Sequence, residues 1–343
     1  MHNPNPLVSV IIVNWNGMRF LHNCLGSLSK VKYKNTEILF VDNASQDDSV
    51  VFVKNNYPDI KIIVNSKNLG YAGGHEGAFR KAKGELILLL STDTIVEENL
   101  LSELVKAIYS EKNVGAVMPK LLMYPRKDLI DSIGSFFLAS GIIYHIGRDK
   151  DQSELKYNKP MEIFSGKGAC MLFKKEVLAK TGLFDKDYFA YFEETDLCHR
   201  IWLSGNKVIY WPKTSVCHMQ GGASKQMISS FILYHSYKNI LCTYIKNLSL
   251  KYLIRVLPLT LIIYQCGFLV FLLTGKFRNA WAFQEAISWN ISNMRSTLKK
   301  RKFVQNKIRK ISDDYFLPRI TRSVSLHYYY YLFTGEGLAK YHD

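Results

Sequence analysis

The sequence lacks the features that define several common classes of protein. Its six cysteines include no Cys-x-x-Cys pair, which argues against a zinc ribbon or a disulfide scaffold and favours a reducing cytosol. The first residues contain no basic stretch followed by an apolar one, so we expect no signal peptide. The chain has 343 residues, of which 48% are hydrophobic. This is enough for one large domain or two modest ones.

Acidic residues are scarce in one part of the chain. Residues 1–224 contain 27 lysines and arginines against 24 aspartates and glutamates, whereas residues 225–343 contain 18 against 5. Most of the net charge of +16 therefore belongs to the last third of the sequence. A basic segment beside an apolar one indicates an anionic membrane surface as a partner, rather than nucleic acid.

A long uncharged run lies within this basic segment. Val256–Gly275 contains 20 residues without a charged side chain, flanked by Arg255 and Lys276. About 20 apolar residues suffice to cross a bilayer. A buried helix at the base of a domain is the alternative, favoured by Pro258 and the minimal length. We expect membrane association, either as a span or as a helix in the plane of the membrane.

Buried strands alternate with helices over the first 120 or so residues. Apolar, largely β-branched runs predict strands at 8–13, 37–41, 61–64 and 86–90. This alternation predicts an α/β fold with a mainly parallel sheet flanked by helices. Ligands of such sheets bind at the carboxyl ends of the strands. A later strand, at 207–211, is expected to end at Pro212.

Asp93 follows one of the buried runs, Leu86–Leu90. A carboxylate just past a buried strand is a common ligand for Mg²⁺ or Mn²⁺ that bridges phosphate oxygens. Such a cation neutralises charge on a departing diphosphate. In the alternative interpretation, Asp93 caps a helix that begins near Glu97.

Three carboxylates, Glu193, Glu194 and Asp196, follow the aromatic stretch 188–192. Aromatic neighbours partly desolvate a carboxylate, which raises its pKa and suits a general base. The alternative is a solvated acidic start of a helix, since carboxylates favour the first turn. We favour the general-base interpretation over the solvated helix start.

His218 and the glycine-rich stretch 68–74 are weaker signals. A lone histidine is more often structural than a metal ligand, although polar neighbours and a position after a strand favour the ligand role. The stretch 68–74 could cradle phosphates with backbone N–H groups. It matches neither Gly-x-Gly-x-x-Gly nor the P-loop pattern, so a turn is the better interpretation of this stretch alone.

Taken in order, six blocks of the sequence resemble the family 2 glycosyltransferases, which have the GT-A fold. The blocks are VSVIIVNWNG (8–17), ILFVDNASQDDS (38–49), NLGYAGG (68–74), ELILLLSTDT (85–94), FSGKGACMLFKKEVLAKTGLFD (164–185) and FAYFEETDLCHRIWLSGNKVIYWPKTSVCHMQGG (189–222). The subgroup that looks most similar is the rhamnosyltransferase-like enzymes of surface glycan assembly. The resemblance covers roughly residues 7–225.

The resemblance implies a donor site. Val13 and Asn14 would line the nucleotide pocket, and Trp15 would stack on the base. Asp42 or Asn43 would accept a hydrogen bond from a pyrimidine. The residues expected near the diphosphate and the sugar are Asn68, Gly70 and Gly73.

The resemblance also implies the residues of the reaction. Asp93 would be the surviving ligand of the family's Asp-x-Asp motif, and His218 the later histidine ligand of a divalent cation, Mg²⁺ or Mn²⁺. Glu194 would be the catalytic base. Glu193 and Asp196 would orient the acceptor and the base, and Gly166 would lie on the acceptor side.

Two residues depart from the family pattern. Ser91 stands where Asp-x-Asp has its first acid, which makes metal binding depend more on the diphosphate and His218. Glu194 stands where aspartate is usual, which extends the carboxylate by one methylene. A displacement of about 1 Å can lower a rate roughly 100-fold.

The resemblance thus implies an inverting glycosyltransferase that moves one sugar, for example rhamnose, from a dTDP- or UDP-sugar to a hydroxyl of a glycan or lipid-linked glycan. Two alternatives stay open, a sugar nucleotidyltransferase and a catalytically impaired membrane scaffold. We expect a catalytic domain over 1–225 and a basic, helical, membrane-associated region over 226–343. The expected location is the cytoplasmic face of the cell membrane, peripheral or integral. The sequence leaves the oligomeric state open.

Overall fold

A computed structural model describes residues 5–219 and 229–329. The expected boundary between residues 225 and 226 lies outside these residues, so the division into two domains stays a prediction.

Strands and helices alternate at the start of the chain, as predicted. The elements are β1 (Val8–Asn14), α1 (Met18–Leu28), β2 (Thr36–Asp42), α2 (Ser49–Asn56), β3 (Lys61–Val64), α3 (Gly70–Lys81), β4 (Leu86–Ser91), β5 (Thr94–Val96), α4 (Leu100–Ile108) and β6 (Val114–Met123). β1 is buried along almost its whole length because its Val and Ile side chains pack on both faces of the sheet.

Short strands and two helices follow. They are β7 (Ile130–Ser132), β8 (Ser135–Leu138), β9 (Ile143–His145), β10 (Met161–Glu162), β11 (Cys170–Lys174), α5 (Lys175–Thr181), α6 (Glu193–Leu203) and β12 (Lys207–His218). The expectation that the last strand ends at Pro212 is wrong. β12 continues to His218 because a register shift between Trp211 and Ser215 accommodates the proline.

The central sheet is mostly parallel, and its order is β10-β12-β6-β11-β4-β1-β2-β3. β1 runs parallel to both β2 and β4, and β2 runs parallel to β3, whereas β11 lies antiparallel between β4 and β6. The register pairs Asn14 with Asp42, and Val13 with Ser91. The polar ends of three strands therefore meet at one edge of the sheet.

The rest of the described chain is mainly helical. It contains α7 (Ser229–Asn247), α8 (Leu250–Leu273), α9 (Phe277–Ser292), α10 (Met294–Phe303), a π-helical turn (Val304–Ile308), α11 (Asp313–Ile320) and β13 (Thr321–Arg322). β13 extends the small sheet of β8 and β9. Ile240, Leu241 and Tyr244 of α7 belong to the same buried core as the strands of the central sheet. α7 is therefore packed into the part of the molecule that contains the sheet.

Candidate active site

A cleft of about 270 Å³ lies at the carboxyl ends of β1 and β4. Its walls come from six parts of the chain: the loop after β1, the residue after β2, the start of α3, the turn after β4, the segment 189–194 and the end of β12. The residues that line it are Val13, Trp15, Asn16, Gly17, Phe20, Asn43, Asn68, Gly70, Tyr71, Ser91, Thr92, Asp93, Phe189, Ala190, Tyr191, Phe192, Glu193, Glu194 and His218. Much of the predicted site is thus assembled at one place.

One side of the cleft is fixed by hydrogen bonds between strand ends. Asn14 donates from Nδ2 to Asp42 Oδ1 at 3.0 Å and to Ser45 Oγ at 3.0 Å. Asp42 Oδ2 accepts from the Ser45 N–H. Asn14 and Asp42 are buried, and neither lines the cleft. They hold the loops that present Trp15 and Asn43.

Asn43 joins this wall to α3. Its Nδ2 donates to the Gly70 carbonyl at 2.9 Å, and its Oδ1 accepts from Asn65 at 2.8 Å. Gly70 has a φ of +70°, and a Cβ there would lie 2.2 Å from the Phe189 carbonyl oxygen. Both observations explain why glycine stands at position 70.

Asp93 and His218 approach each other because β5 pairs with β12. The strands place Thr94 opposite His218, and the Met219 N–H donates to the Asp93 carbonyl at 2.8 Å. His218 Nε2 lies 3.4 Å from Asp93 Oδ1. The alternative in which Asp93 caps the next helix is wrong, because β5 intervenes and α4 begins only after Asn99.

The other ring nitrogen of His218 faces Asp131. His218 Nδ1 lies 2.8 Å from Asp131 Oδ2, and Lys167 donates to the same oxygen at 2.6 Å. Burial lowers the pKa of His218, but hydrogen bonds to Asp131 and Asp93 outweigh it, so the pKa is raised. A carboxylate behind a histidine is the usual way in which a metal ligand is oriented.

The two candidate metal ligands, Asp93 and His218, suit a cation that is also bound by water and by phosphate oxygens. Within residues 5–219 and 229–329, no cluster of three or more His, Cys, Asp or Glu side chains could hold a metal ion. Asp93 and His218 supply one oxygen and one nitrogen toward the cleft. Mg²⁺ commonly retains several waters and is bound by one or two protein ligands together with the phosphates of the substrate. Two protein ligands therefore fit a cation held together with a diphosphate.

Glu193 and Glu194 begin α6 on the other side of the cleft. The two residues before them, Tyr191 and Phe192, have φ values of +68° and +70°, a left-handed conformation that is unfavourable for bulky residues. Asn239 of α7 holds this bend by donating to the carbonyls of Ala190 at 3.1 Å and Tyr191 at 2.6 Å. The strained turn aims both carboxylates at the cleft.

Burial raises the pKa values of both glutamates. The negative charge of Glu194 raises that of Glu193 further, because a second charge nearby is unfavourable. A hydrogen bond from the Gly168 N–H and the charge of Lys167 counteract the rise for Glu194. The groups that stabilise a negative charge, the Gly168 N–H and Lys167, therefore lie at Glu194. The solvated alternative for these residues is wrong, although they do begin a helix.

Three further predicted residues lie away from the cleft wall: Gly73, Gly166 and Asp196. Asp196 is fully buried and pairs with Arg200 at 2.9 Å and Lys246 at 3.1 Å. A Cβ at Gly166 would collide with Met171. These residues support the architecture around the site.

The structure adds residues that the motifs did not single out. Asp131 and Lys167 lie behind His218. Tyr71 lines the cleft and donates to the Gly168 carbonyl at 2.5 Å, next to the N–H that bonds Glu194. Asp131 is 87 positions from His218, so no local pattern could have joined the two. Tyr71 lies inside the block NLGYAGG, which is the signal that could have identified it.

A family model described as Glycosyl transferase family 2 matches residues 9–182 of the chain. Curated relatives are distant. Glycosyltransferase GlyG of Streptococcus pneumoniae is 25% identical over 60% of this chain and 67% of its own length. The low-salt glycan biosynthesis hexosyltransferase Agl10 of Haloferax volcanii is 24% identical over 68% and 73%. The N-acetylglucosaminyl-diphospho-decaprenol L-rhamnosyltransferase of Mycobacterium tuberculosis is 22% identical over 67% and 81%.

Solved structures show the same fold. The mannosyltransferase PcManGT of Pyrobaculum calidifontis, in complex with GDP-Man and Mn²⁺, has a TM-score of 0.52 at 16% identity and covers 88% of this chain and 86% of its own. TarS residues 1–349 of S. aureus has a TM-score of 0.56 at 14% identity, covering 87% and 90%. The predicted fold class, with its mostly parallel sheet and helical C-terminal region, is confirmed.

Proposed function

Since the chain belongs to glycosyl transferase family 2 and is a glycosyltransferase of glycan biosynthesis, we propose that it is an inverting enzyme that transfers one sugar from a dTDP- or UDP-sugar to a hydroxyl of a glycan or lipid-linked glycan. The observation that most directly supports this proposal is that the candidate metal ligands and the candidate base lie on different sides of the cleft. Asp93 and His218 lie on one side of the cleft, and the carboxylate of Glu194 lies on the other, at the start of α6. Inversion needs this separation, because the acceptor attacks from the face opposite the leaving group.

The proposed roles combine the resemblance to the family with the position of each side chain in the cleft. Trp15 stacks on the base of the donor, and Asn43 and Asn68 contact the nucleotide and the sugar. Asp93 and His218 would hold a divalent cation, Mg²⁺ or Mn²⁺, which would supply positive charge to stabilise the departing diphosphate. Glu194 takes the proton of the acceptor hydroxyl, and Glu193 orients the acceptor.

The proposed sugar, acceptor and cation are supported by similar proteins. Rhamnose as the sugar and a lipid-linked acceptor are supported by the distant mycobacterial enzyme, whose name contains both a rhamnosyl transfer and a diphospho-decaprenol. The cation is supported by the Mn²⁺ bound in PcManGT. A lipid-linked acceptor agrees with a place at the cytoplasmic face of the membrane, where nucleotide-sugars are available.

Glu194→Gln tests the base assignment. We expect the turnover of the donor in the presence of acceptor to fall by 10²- to 10⁴-fold, while binding of the nucleoside diphosphate, measured by calorimetry with Mn²⁺, is retained. Glu154→Gln is the matched control, because Glu154 is exposed outside the cleft. A kcat close to that of the unmodified enzyme would overturn the role of Glu194. Release of pyrophosphate from a nucleoside triphosphate would instead indicate a nucleotidyltransferase.

A further inference from the structure

The helix α8 presents an apolar surface that no other element covers within the described residues. Its 24 residues satisfy the length and composition of a membrane span. Only one stripe along it is buried, formed by Val256, Thr260, Tyr264 and Gly267. The opposite surface exposes large apolar side chains, namely Leu259, Ile262, Leu269 and Leu273. The exposed run is longer than the scattered apolar residues of an ordinary surface.

The buried stripe fixes α8 to the rest of the protein along its length. Thr260 donates to the Ser140 carbonyl at 2.9 Å, beside Gly141 of the β8–β9 turn. One turn further, Tyr264 donates to the Tyr237 carbonyl of α7 at 3.2 Å. A helix that crossed a bilayer alone would have to break these contacts.

α9 runs back along α8 and prevents a span for a second reason. Phe268 packs on Trp281, Phe271 on Phe283, and Gln284 donates to Gln265 at 2.9 Å. α9 has 16 residues, or about 24 Å, which is short of the roughly 30 Å hydrocarbon core. It also carries exposed Glu285. If α8 crossed the bilayer, α9 would be pulled in with it.

Cations stand at both ends of the apolar surface. Arg255 is exposed before it, and Lys276 and Arg278 are exposed after it. In a span these charges would lie on opposite sides of the membrane. In a helix that lies flat, all three sit at the depth of the headgroups, where anionic lipids attract them. Phe277 and Trp281, exposed beside them, suit the same depth.

We propose that α8 and the start of α9 lie flat in one leaflet of an anionic bilayer, with the outward side of α8 among the acyl chains. This placement adds the mode of attachment to the proposed function and rests on its membrane location. It also brings the cleft close to the lipid. Ser229 of α7 donates to Asn279 of α9 at 2.9 Å, and Phe231, two residues along, packs on Phe189 of the cleft wall.

Flotation with lipid vesicles tests the surface. The full chain should float with vesicles that contain about 30% phosphatidylglycerol and much less with pure phosphatidylcholine. Ile262→Asp and Leu269→Asp should each weaken binding at least tenfold, since each removes buried apolar area and adds a charge. Leu155→Asp is the matched control, because Leu155 is exposed but lies outside α8 and α9. Lys276→Gln and Arg278→Gln should each weaken binding about fivefold.

Labelling of Lys276→Cys distinguishes a flat helix from a span. All six cysteines lie in the described residues, and Cys266 is the exposed one, so the variant is made together with Cys266→Ser. A membrane-impermeant maleimide should label it in inside-out vesicles and not in right-side-out spheroplasts. Labelling from the outer side only would overturn the flat placement.

The alternative to a membrane is a second copy of the chain that covers the exposed apolar surface of α8. If Ile262→Asp converts a dimer to a monomer in light scattering and the unmodified chain does not float, the proposal is wrong. Donor turnover is measured on the same samples. Flotation without turnover would contradict the proposed function and leave the flat placement standing. Turnover without flotation would contradict the flat placement and leave the proposed function standing.

Discussion

Asp131 is the side chain that orients His218, and its burial makes that role strict. It is almost completely buried, and His218, Lys167 and Arg148 surround it. A buried carboxylate with several charged partners holds a single geometry. The orientation of the proposed metal ligand therefore depends on a residue outside the cleft.

We predict that Asp131→Asn weakens cation binding without removing it. An amide can still accept a hydrogen bond, but the carboxylate charge is lost. Loss of such a partner typically lowers metal affinity 10- to 100-fold. The Mn²⁺ concentration for half-maximal activity measures this effect. Asp128→Asn, at an exposed position of the same segment, should leave it unchanged, and equal values for all three proteins would rule out the orienting role.

The buried carboxyl group of Glu193 lowers the stability of the folded protein as the pH rises. Its folded-state pKa lies well above the ordinary value of 4.5, first because of burial and then because of Glu194. The folded protein consequently binds more protons than the unfolded chain above about pH 4.5. Under this condition the free energy of unfolding falls as the pH rises.

We predict that Glu193→Gln stabilises the metal-free protein at pH 8 by about 1–2 kcal/mol. The variant should also lose part of the decrease in stability between pH 5 and pH 8. Urea unfolding in EDTA at several pH values measures both quantities. Glu154→Gln should follow the unmodified protein. If Glu193→Gln were instead less stable than the unmodified protein at pH 8, the buried charge of Glu193 would not be the source of the pH dependence.

At the scale of elements, α7 supports the turn that precedes the candidate catalytic carboxylates, Glu193 and Glu194. Asn239 bonds the carbonyls of Ala190 and Tyr191, and Tyr188 donates to the Asn239 carbonyl at 3.1 Å. The proposed donor side of the cleft comes from other elements, namely β1, α3 and the residue after β2. Disturbing α7 should therefore affect the chemistry more than donor binding.

We predict that Asn239→Leu lowers kcat by about 10- to 100-fold, because a shift of about 1 Å of a catalytic group has that effect. The Kd of the nucleoside diphosphate should stay within twofold. Asn290→Leu is the matched control, since Asn290 makes a comparable buried bond from α9 to the Lys238 carbonyl and does not touch the turn. A parallel loss of kcat in both variants would point to general destabilisation instead.

At the scale of the whole molecule, buried charges join the C-terminal helices to the sheet-containing part. Lys246 of α7 lies 2.5 Å from Asp185 and 3.1 Å from Asp196, and all three are almost fully buried. Lys300 of α10 also pairs with Asp185. Removing one member of such a set leaves an uncompensated charge.

We predict that Lys246→Met lowers the free energy of unfolding by about 3–5 kcal/mol. Lys251→Met, which removes an exposed ion pair with Asp314, should cost at most about 1 kcal/mol. Urea unfolding followed by tryptophan fluorescence and by circular dichroism should give one common transition for the unmodified protein. Two separate transitions would show that the two parts are not one cooperative unit.

The sequence by itself determined the alternation of strands and helices and the family, and it supplied the candidate residues of the site. Strand β1 was predictable because its β-branched run has few other stable conformations. Asp93, Glu194 and His218 were each weak signals alone, and they became candidates together because six ordered blocks of the sequence resemble one family. The membrane-length run of α8 was also visible, since length and apolarity are local properties.

Only the tertiary structure decided what those residues do together. The pairing of β5 with β12 brought Asp93 to His218, and Asp131 joined them across 87 positions. Asp42 and Asp196 proved to be buried supports because residues distant in sequence bond them: the Asn14 amide donates to Asp42, and Lys246 pairs with Asp196. The proposed flat placement of α8 rests on its contacts with α7 and α9. Each of these outcomes depends on long-range packing, which a linear pattern does not encode in any one segment.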